Sequence, residues 1–405
     1  MVHKEIQGIS LLELADKYDT PLYIYDTQVI KQRYFALHEA LSPIPHKIKY
    51  ACKALSNIHI LRLLSDWKCG LDCVSPNEIS LGIMANFSQE EIIFTPNSVA
   101  FNEIEEAYKQ NVLINIDSTT TLEKFGKNYP KGKCSLRFNP DITAGANSSI
   151  QTGHRFSKFG IAKDQLDDVV KIVRKYSLEI TGIHIHTGSG ISQPHIFVQI
   201  LNTLSALSTK FPHLQFVDIG GGFKVAYREG DAFISIEALA QQIVPAMQNL
   251  NSNYGKTLEL WCEPGKYLVS DCGYLLVTVN QIKQNGERIF AGVNSGQNHL
   301  IRPMLYDAYH KITNLSNPHG DKRVYDIVGY ICEEDTFARQ RQVEEIHEGD
   351  VLCIHNAGAY GYSMSSNYNS RCRPAEVMIH EGKDILIRKR ETLQDLLRGQ
   401  NFTIQ

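Results

Sequence analysis

The sequence has no C-x-x-C pair, although it holds nine cysteines. Cys52, Cys69, Cys73, Cys134, Cys262, Cys272, Cys332, Cys353 and Cys372 are odd in number and scattered. That excludes a paired disulfide framework and a structural zinc site, and it predicts a reducing, cytoplasmic setting. Sequons such as Asn147-Ser148-Ser149 are then incidental. No apolar run is long enough to span a bilayer, and the opening "MVHKEIQGISLLELADKYDT" lacks the apolar core of a secretory leader. There is no basic tract, and with a net charge of −3 neither nucleic acid nor an anionic membrane has electrostatic support as a partner. Internal repeats, low-complexity segments and a long linker are missing too. What remains is the composition of a soluble globular chain, long enough at 405 residues to predict one large domain and a second.

Short apolar, β-branched runs recur through the first two thirds: "IKYACKA", "CGLDCVS", "EIIFTPN", "VLINIDS", "CSLRFNP", "ITGIHIHTG", "LQFVDIGGG" and "LELWCEPG". Between most of them lie stretches of helical spacing, such as "NEISLGIMANF", "QLDDVVKIVRKY" and "IFVQILNTLSALSTKF". Strands alternating with helices predict a parallel sheet, and eight of them in about 240 residues match a (β/α)8 TIM barrel. From Tyr274 onward the runs shorten and alternate, as in "GYLLVTVNQIK" and "DVLCIHNA", which predicts an all-β second domain. "TPLYIYDT" has strand character and could join either part. The reading is an α/β chain with a barrel over 27–272, and a mostly β sandwich or barrel made of 1–26 and 273–405.

The runs end in polar residues or glycines: Lys53, Asp72, Asn97, Asp117, Arg137 with Asn139, His186, Gly220 to Gly222, and Glu263. In a parallel barrel these ends meet at one mouth, where active sites lie. Any one polar strand end is explained by the loop that follows it; a lysine, a histidine, a glutamate and a triple glycine together point to a site. Lys53 at the end of the first strand is placed for an amine that attacks an aldehyde, a task that burial favours by keeping the nitrogen neutral. Lys47 and Lys49 alternate with apolar neighbours and read as solvated or structural. Gly220, Gly221 and Gly222 offer bare amides to a phosphate, although a tight turn explains them as well. Glu263, in "CEPGK", could hold a protonated ring nitrogen. His184 and His186 share a strand face, so that one could stack on a flat ring while the other packs. Lysine, stacker, glycine loop and acid are the parts a pyridoxal phosphate site needs.

These motifs resemble the fold-type III pyridoxal phosphate decarboxylases, and most closely the diaminopimelate decarboxylase family. The stretches that carry the resemblance are "YACKA", "GLDCVSPNEI", "SKFGI", "HIHTGSG", "DIGGGF", "EPGK", "RPMLYDAYH", "GYICEED" and "GAYGYSMSSNYN". The resemblance implies an alanine racemase-like architecture and pyridoxal 5'-phosphate as cofactor. It implies that Lys53 is the Schiff-base lysine and that Asp72 positions it. His186 would stack on the ring, and Glu263 would hold its nitrogen. Ser189, Gly220, Gly221, Gly222 and Gly265 would lie by the phosphate. Arg302 and Tyr306 would grip the distal carboxylate of an amino-acid substrate, with Glu333 at its distal ammonium. Tyr360 would touch both cofactor and substrate, and Cys332 would reprotonate the α-carbon. Family members work as homodimers with shared sites, so Cys332 and Glu333 would come from the neighbouring subunit.

Two departures bear on the substrate. Lys266 stands where the family usually has arginine, so an ammonium replaces the bidentate fork; it is taken here as a substrate-binding residue. "CEEDTFA" is one residue shorter and more acidic than the family's segment. The implied reaction is decarboxylation of meso-2,6-diaminopimelate at its D-centre to L-lysine and carbon dioxide, the last step of lysine biosynthesis. The alternatives are a related decarboxylase of ornithine, lysine, arginine or a carboxylated polyamine, and a non-catalytic pyridoxal phosphate-binding homologue.

Overall fold

The computed structural model describes residues 4–142, 144–145 and 152–401, and the sequon at Asn147 lies outside them. The chain forms two compact units, Arg33–Ala226 with Ala232–Leu268, and Met1–Gln32 with Tyr227–Asp231 and Val269–Gln405. No helix among the described residues is long and apolar enough to cross a membrane.

In the first unit all eight expected runs are strands: β1 (His46–Ala51), β2 (Gly70–Cys73), β3 (Ile92–Phe94), β4 (Leu113–Ile116), β5 (Lys133–Asn139), β6 (Glu179–His184), β7 (Phe216–Asp218) and β8 (Glu259–Cys262). Each pairs in parallel with the next, and β8 returns to β1 through Leu260 opposite His46, which closes the barrel. Seven helices follow the first seven strands: α1 (Ile58–Asp66), α2 (Pro76–Met84), α3 (Phe101–Lys109), α4 (Thr119–Asn128), α5 (Leu166–Tyr176), α6 (Pro194–Ser208) and α7 (Ile236–Tyr254). Their starts are written locally. Asn57, Ser75, Ser118 and Ser235 cap backbone N–H groups that have no partner in the helix, and proline opens α2 and α6. In α6 the buried Phe197, Ile200, Leu201, Leu204 and Leu207 recur every three or four residues, which gives one apolar face.

The barrel is filled rather than hollow. Ile93, Leu113, Phe216 and Trp261, from β3, β4, β7 and β8, pack as one cluster. The rings of Phe216 and Trp261 stack at 3.5 Å and 6°. Gly182 makes room for them, because a Cβ there would lie 2.0 Å from the Phe216 ring. Lys49 joins this interior. It is 1 % exposed, its Nζ sits 4.2 Å from the Trp261 ring centre, and it donates to the Glu91 carbonyl at 2.9 Å. Of the two readings held for this lysine, structural is the one observed. Lys47, half exposed, pairs with Glu259 at 3.4 Å.

The second unit is mostly β. Its strands are β9 (Gly273–Asn285), β10 (Arg288–Val293), β11 (Ile312–Asn314), β12 (Lys322–Val328), β13 (Thr336–Glu344), β14 (Val351–Ile354), β15 (Ala375–His380) and β16 (Lys383–Arg388). The amino-terminal strand Leu22–Asp26 belongs here, antiparallel to β9 and parallel to β15. It is drawn in because Leu22 and Ile24 are fully buried against Leu276, Cys353, Val377 and Ile379.

Lys49 yields a test. Burial, with the charge of Lys47 adding to it, lowers the Lys49 ammonium from 10.5 to about 8. Between those values the unfolded chain binds a proton that the folded chain does not, so stability rises with pH across that window. Lys49→Met should remove that rise. Urea unfolding from pH 8 to 10.5 should show the wild type gaining about 3 kcal/mol relative to the variant. Parallel curves would mean that the buried amine is not depressed.

Candidate active site

The short turn Cys52–Ala54 after β1 carries Lys53 to the carboxyl end of the barrel, with its Nζ 3.4 Å from Oδ2 of Asp72 on β2. Burial of the amine was the expectation, but 45 % of the Lys53 side chain is exposed. The backbone turns outward just before it, so the stem reaches into the mouth instead of packing under it. The buried partner is Asp72, at 2 %. Burial raises the Asp72 carboxyl, and the charge of Glu263 adds to this, against the pull of Lys53.

Three loops are laced together beside this pair. The Glu263 amide donates to the Gly220 carbonyl at 2.8 Å, and the amides of Gly190 and Ile191 donate to the Gly222 carbonyl at 3.0 and 2.9 Å. The approach is close enough to require glycine. A Cβ on Gly221 would lie 2.1 Å from the Glu263 carbonyl oxygen, and one on Gly222 would lie 2.1 Å from that of Gly188. The expectation of bare amides is corrected at two positions. The Gly220 amide donates to Oδ1 of Asp218 at 2.7 Å, and the Gly221 amide donates to Nδ1 of His186 at 3.1 Å. Asp218 lies two residues before Gly220, and His186 comes in from the end of β6, so both reach the amides first. Ser189 accepts from the Lys266 ammonium at 3.2 Å, and Gly265 is buried next to that lysine. Lys266 therefore stands among the residues carried over as phosphate neighbours.

His186 is half-buried. Burial first, and then the Arg137 guanidinium, hold its imidazole well below the usual range, so the ring is neutral. With Nδ1 accepting from Gly221, the proton sits on Nε2. A neutral, fixed imidazole suits stacking on a flat ring.

Glu263 is 8 % exposed. Burial works against its charge, but His184 above all, then Lys53, outweigh it and hold the carboxyl at about 2. His184 Nε2 lies 3.2 Å from Glu263 Oε2, a close contact without the alignment of a straight hydrogen bond. Its Nδ1 is 2.8 Å from the Asn115 amide nitrogen. So His186 stands over the loops while His184 serves Glu263 from within the barrel. Asn115 and Asp218 were not singled out from the sequence. The available signal was a polar residue inside each apolar strand, "LINI" and "FVD".

The second unit carries the other candidates. Arg302 opens the short helix Arg302–Tyr306, 6 % exposed, with its guanidinium 5.3 Å from the Tyr227 ring centre. Its Nε finds no acceptor among the described residues, which is costly for a buried cationic donor. Tyr306 lies four residues on, one helical turn away and half-buried. Of the nine cysteines only Cys332 is exposed, and Asn369 Nδ2 donates to its sulfur at 3.2 Å. Glu333 accepts from the Tyr368 hydroxyl and from Gln297 Nε2, both at 2.7 Å.

The acidic run sorts itself by burial. Asp335 is buried and accepts the amides of Gln297 and Ile331 at 2.6 and 3.0 Å, while Glu334 pairs with Arg339 at the surface. Tyr360 is held at φ 57°, a left-handed conformation that a side chain this large rarely adopts.

A family model described as "Pyridoxal-dependent decarboxylase, pyridoxal binding domain" matches residues 27–270. The chain is 41% identical to a diaminopimelate decarboxylase of Methanothermobacter thermautotrophicus, covering 98% of this chain and 96% of that one. It is 34% identical to that of Pseudomonas fluorescens, over 98% and 96%. The crystal structure of diaminopimelate decarboxylase from Helicobacter pylori, complexed with L-lysine, superimposes with a TM-score of 0.89 at 34% identity, covering 96% of this chain and 98% of that one. Full-length likeness in sequence and fold, with the decarboxylase model spanning the barrel, places the chain in the diaminopimelate decarboxylase family of pyridoxal-dependent decarboxylases.

Proposed function

We propose that this enzyme removes the carboxylate at the D-centre of meso-diaminopimelate and releases L-lysine and carbon dioxide. The observation that carries the reading is the pairing of the Lys53 amine with buried Asp72, in the field of a Glu263 that stays charged although buried. The residues fit pyridoxal phosphate: an amine reaching into the mouth, a neutral imidazole, and a buried carboxylate whose Oε1 has no partner among the described residues. When bound, that cofactor supplies the conjugated ring that takes up the electron pair left by the departing carboxylate.

The chain's own residues do the rest. Lys53 anchors the cofactor aldehyde, and Asp72 fixes the amine. His186 covers one ring face, and Glu263 keeps a proton at the ring nitrogen. Ser189, Gly220, Gly221, Gly222 and Gly265 serve the phosphate end. The contact of Lys266 with Ser189 favours that end over the substrate for Lys266 as well. Arg302 and Tyr306 bind the distal carboxylate, Glu333 the distal ammonium, and Tyr360 borders cofactor and substrate. Cys332 delivers the proton to the α-carbon; its exposure and its bond to Asn369 support the assignment. We propose a cytoplasmic head-to-tail homodimer in which Cys332 and Glu333 complete the neighbour's site.

Lys53→Ala should abolish release of carbon dioxide from meso-diaminopimelate, whereas turnover near the wild-type rate would remove the central assignment. Arg302→Ala should lower kcat/KM for diaminopimelate by roughly 10- to 100-fold, as expected for a lost charged hydrogen bond. Unchanged kinetics would favour a substrate without a distal carboxylate. Gly221→Ala drives a Cβ into the backbone of the eighth loop and should weaken cofactor binding by on the order of tenfold, measured by equilibrium dialysis. Wild-type affinity would show that the loops can part at no cost.

A further inference from the structure

Four polar side chains from four different strands meet under the mouth of the barrel. Asn115 is on β4, His184 on β6, Asp218 on β7, and Glu263 directly follows β8. The first three are fully buried and Glu263 nearly so. Donor atoms of His184, Asp218 and Glu263 lie within 4.8 Å of one another. Asn115 Oδ1, His184 Nε2, Asp218 Oδ2 and Glu263 Oε1 have no aligned hydrogen-bond partner among the described residues, a cost for groups sealed in this way.

The contacts specify where protons must be. Asn115 Nδ2 donates to His184 Nδ1 at 2.8 Å, which leaves the ring proton on Nε2, the nitrogen facing Glu263. The Gly220 amide occupies Asp218 Oδ1 and leaves Oδ2 without a partner among the described residues. Two adjacent carboxylates have only acceptors to offer each other, so one of them must carry a proton to pair. Burial and the charge of Glu263 keep that proton on Asp218, whose carboxyl stands well above the usual range.

We propose that Asn115, His184 and Asp218 form a positioning network that holds Glu263 as a carboxylate and orients it toward the cofactor's ring nitrogen. This rests on the reading of Glu263 given above and extends it to three residues that touch neither substrate nor reacting atoms. His184 supplies the facing proton, Asn115 selects the tautomer, and Asp218 acts as a neutral acid. The other groups facing Glu263 are Lys53 and Arg137, which favour its charge, the neutral ring of His186, and Asp72, which opposes it. None of these sits on β4 or β7, so variants on those two strands and at His184 address the network itself.

The test is the pH dependence of pyridoxal phosphate dissociation from the holoenzyme, followed by equilibrium dialysis. Glu263→Gln is the reference and should weaken binding at least tenfold. His184→Phe should move the acidic loss of affinity upward relative to wild type, by about 1 to 3 pH units, the usual effect of removing a close favourable partner. Asn115→Leu keeps His184 but frees its tautomer, and should shift the same limb by a smaller amount. Asp218→Asn should retain wild-type affinity, because its amide donates where the protonated acid did, whereas Asp218→Ala should not. Circular dichroism and the urea midpoint establish that each variant is folded, and Asn115→Leu carries the test if His184→Phe is not. Folded variants with an unmoved limb, beside a weakened Glu263→Gln, would overturn the network alone. A Glu263→Gln variant with wild-type affinity would overturn both the network and the reading of Glu263.

Discussion

A carboxylate sealed from water stays charged only if the protein replaces the water, and at Glu263 the replacement is an imidazole 3.2 Å away. Much of the barrel's mouth follows from that contact. Burial, and then the charge of Glu263, push Asp72 on β2 and Asp218 on β7 toward their neutral forms. His186, beyond reach of a counter-charge strong enough to protonate it, remains a neutral plate. One pairing thus sets charge states on several strands at once.

The second constraint is closeness. Three loops approach within backbone contact at Gly220, Gly221 and Gly222, and their amides are partly committed to Asp218 and His186. The glycines act as much by letting the Glu263 backbone and the His186 ring come near as by presenting free donors. The mouth is accordingly closely laced backbone, built where the strands end, and suited to holding a flat cofactor in a fixed orientation.

The barrel was legible because its rhythm is local. Strand runs alternate with helical spacing, and most of the helix starts carry a cap or a proline of their own. Lys53, Asp72, His186 and Glu263 were legible because residues at strand ends are forced to one face of the fold. Asn115, His184 and Asp218 were harder to read. Each is a single polar residue within an apolar run, and nothing local says that a partner from another strand will stand beside it. Lys49 was left between a solvated and a structural lysine, since its burial depends on Trp261 two hundred residues away. In "CEEDTFA" the sequence shows three equal acids, and only the fold separates the buried Asp335 from the exposed Glu334 and from Glu333 beside Cys332. The long-range electrostatics were hidden; the periodic and the terminal features were not.

The most direct measurement is product formation by the cofactor-loaded protein on meso-diaminopimelate, following carbon dioxide and L-lysine together. Release of both in equal amounts is the predicted result, and it would make Lys266 and the acidic segment tolerated variations within the family. Absence of turnover, with the cofactor bound and the protein folded, would contradict the account and return the question to which amino acid, if any, this barrel decarboxylates.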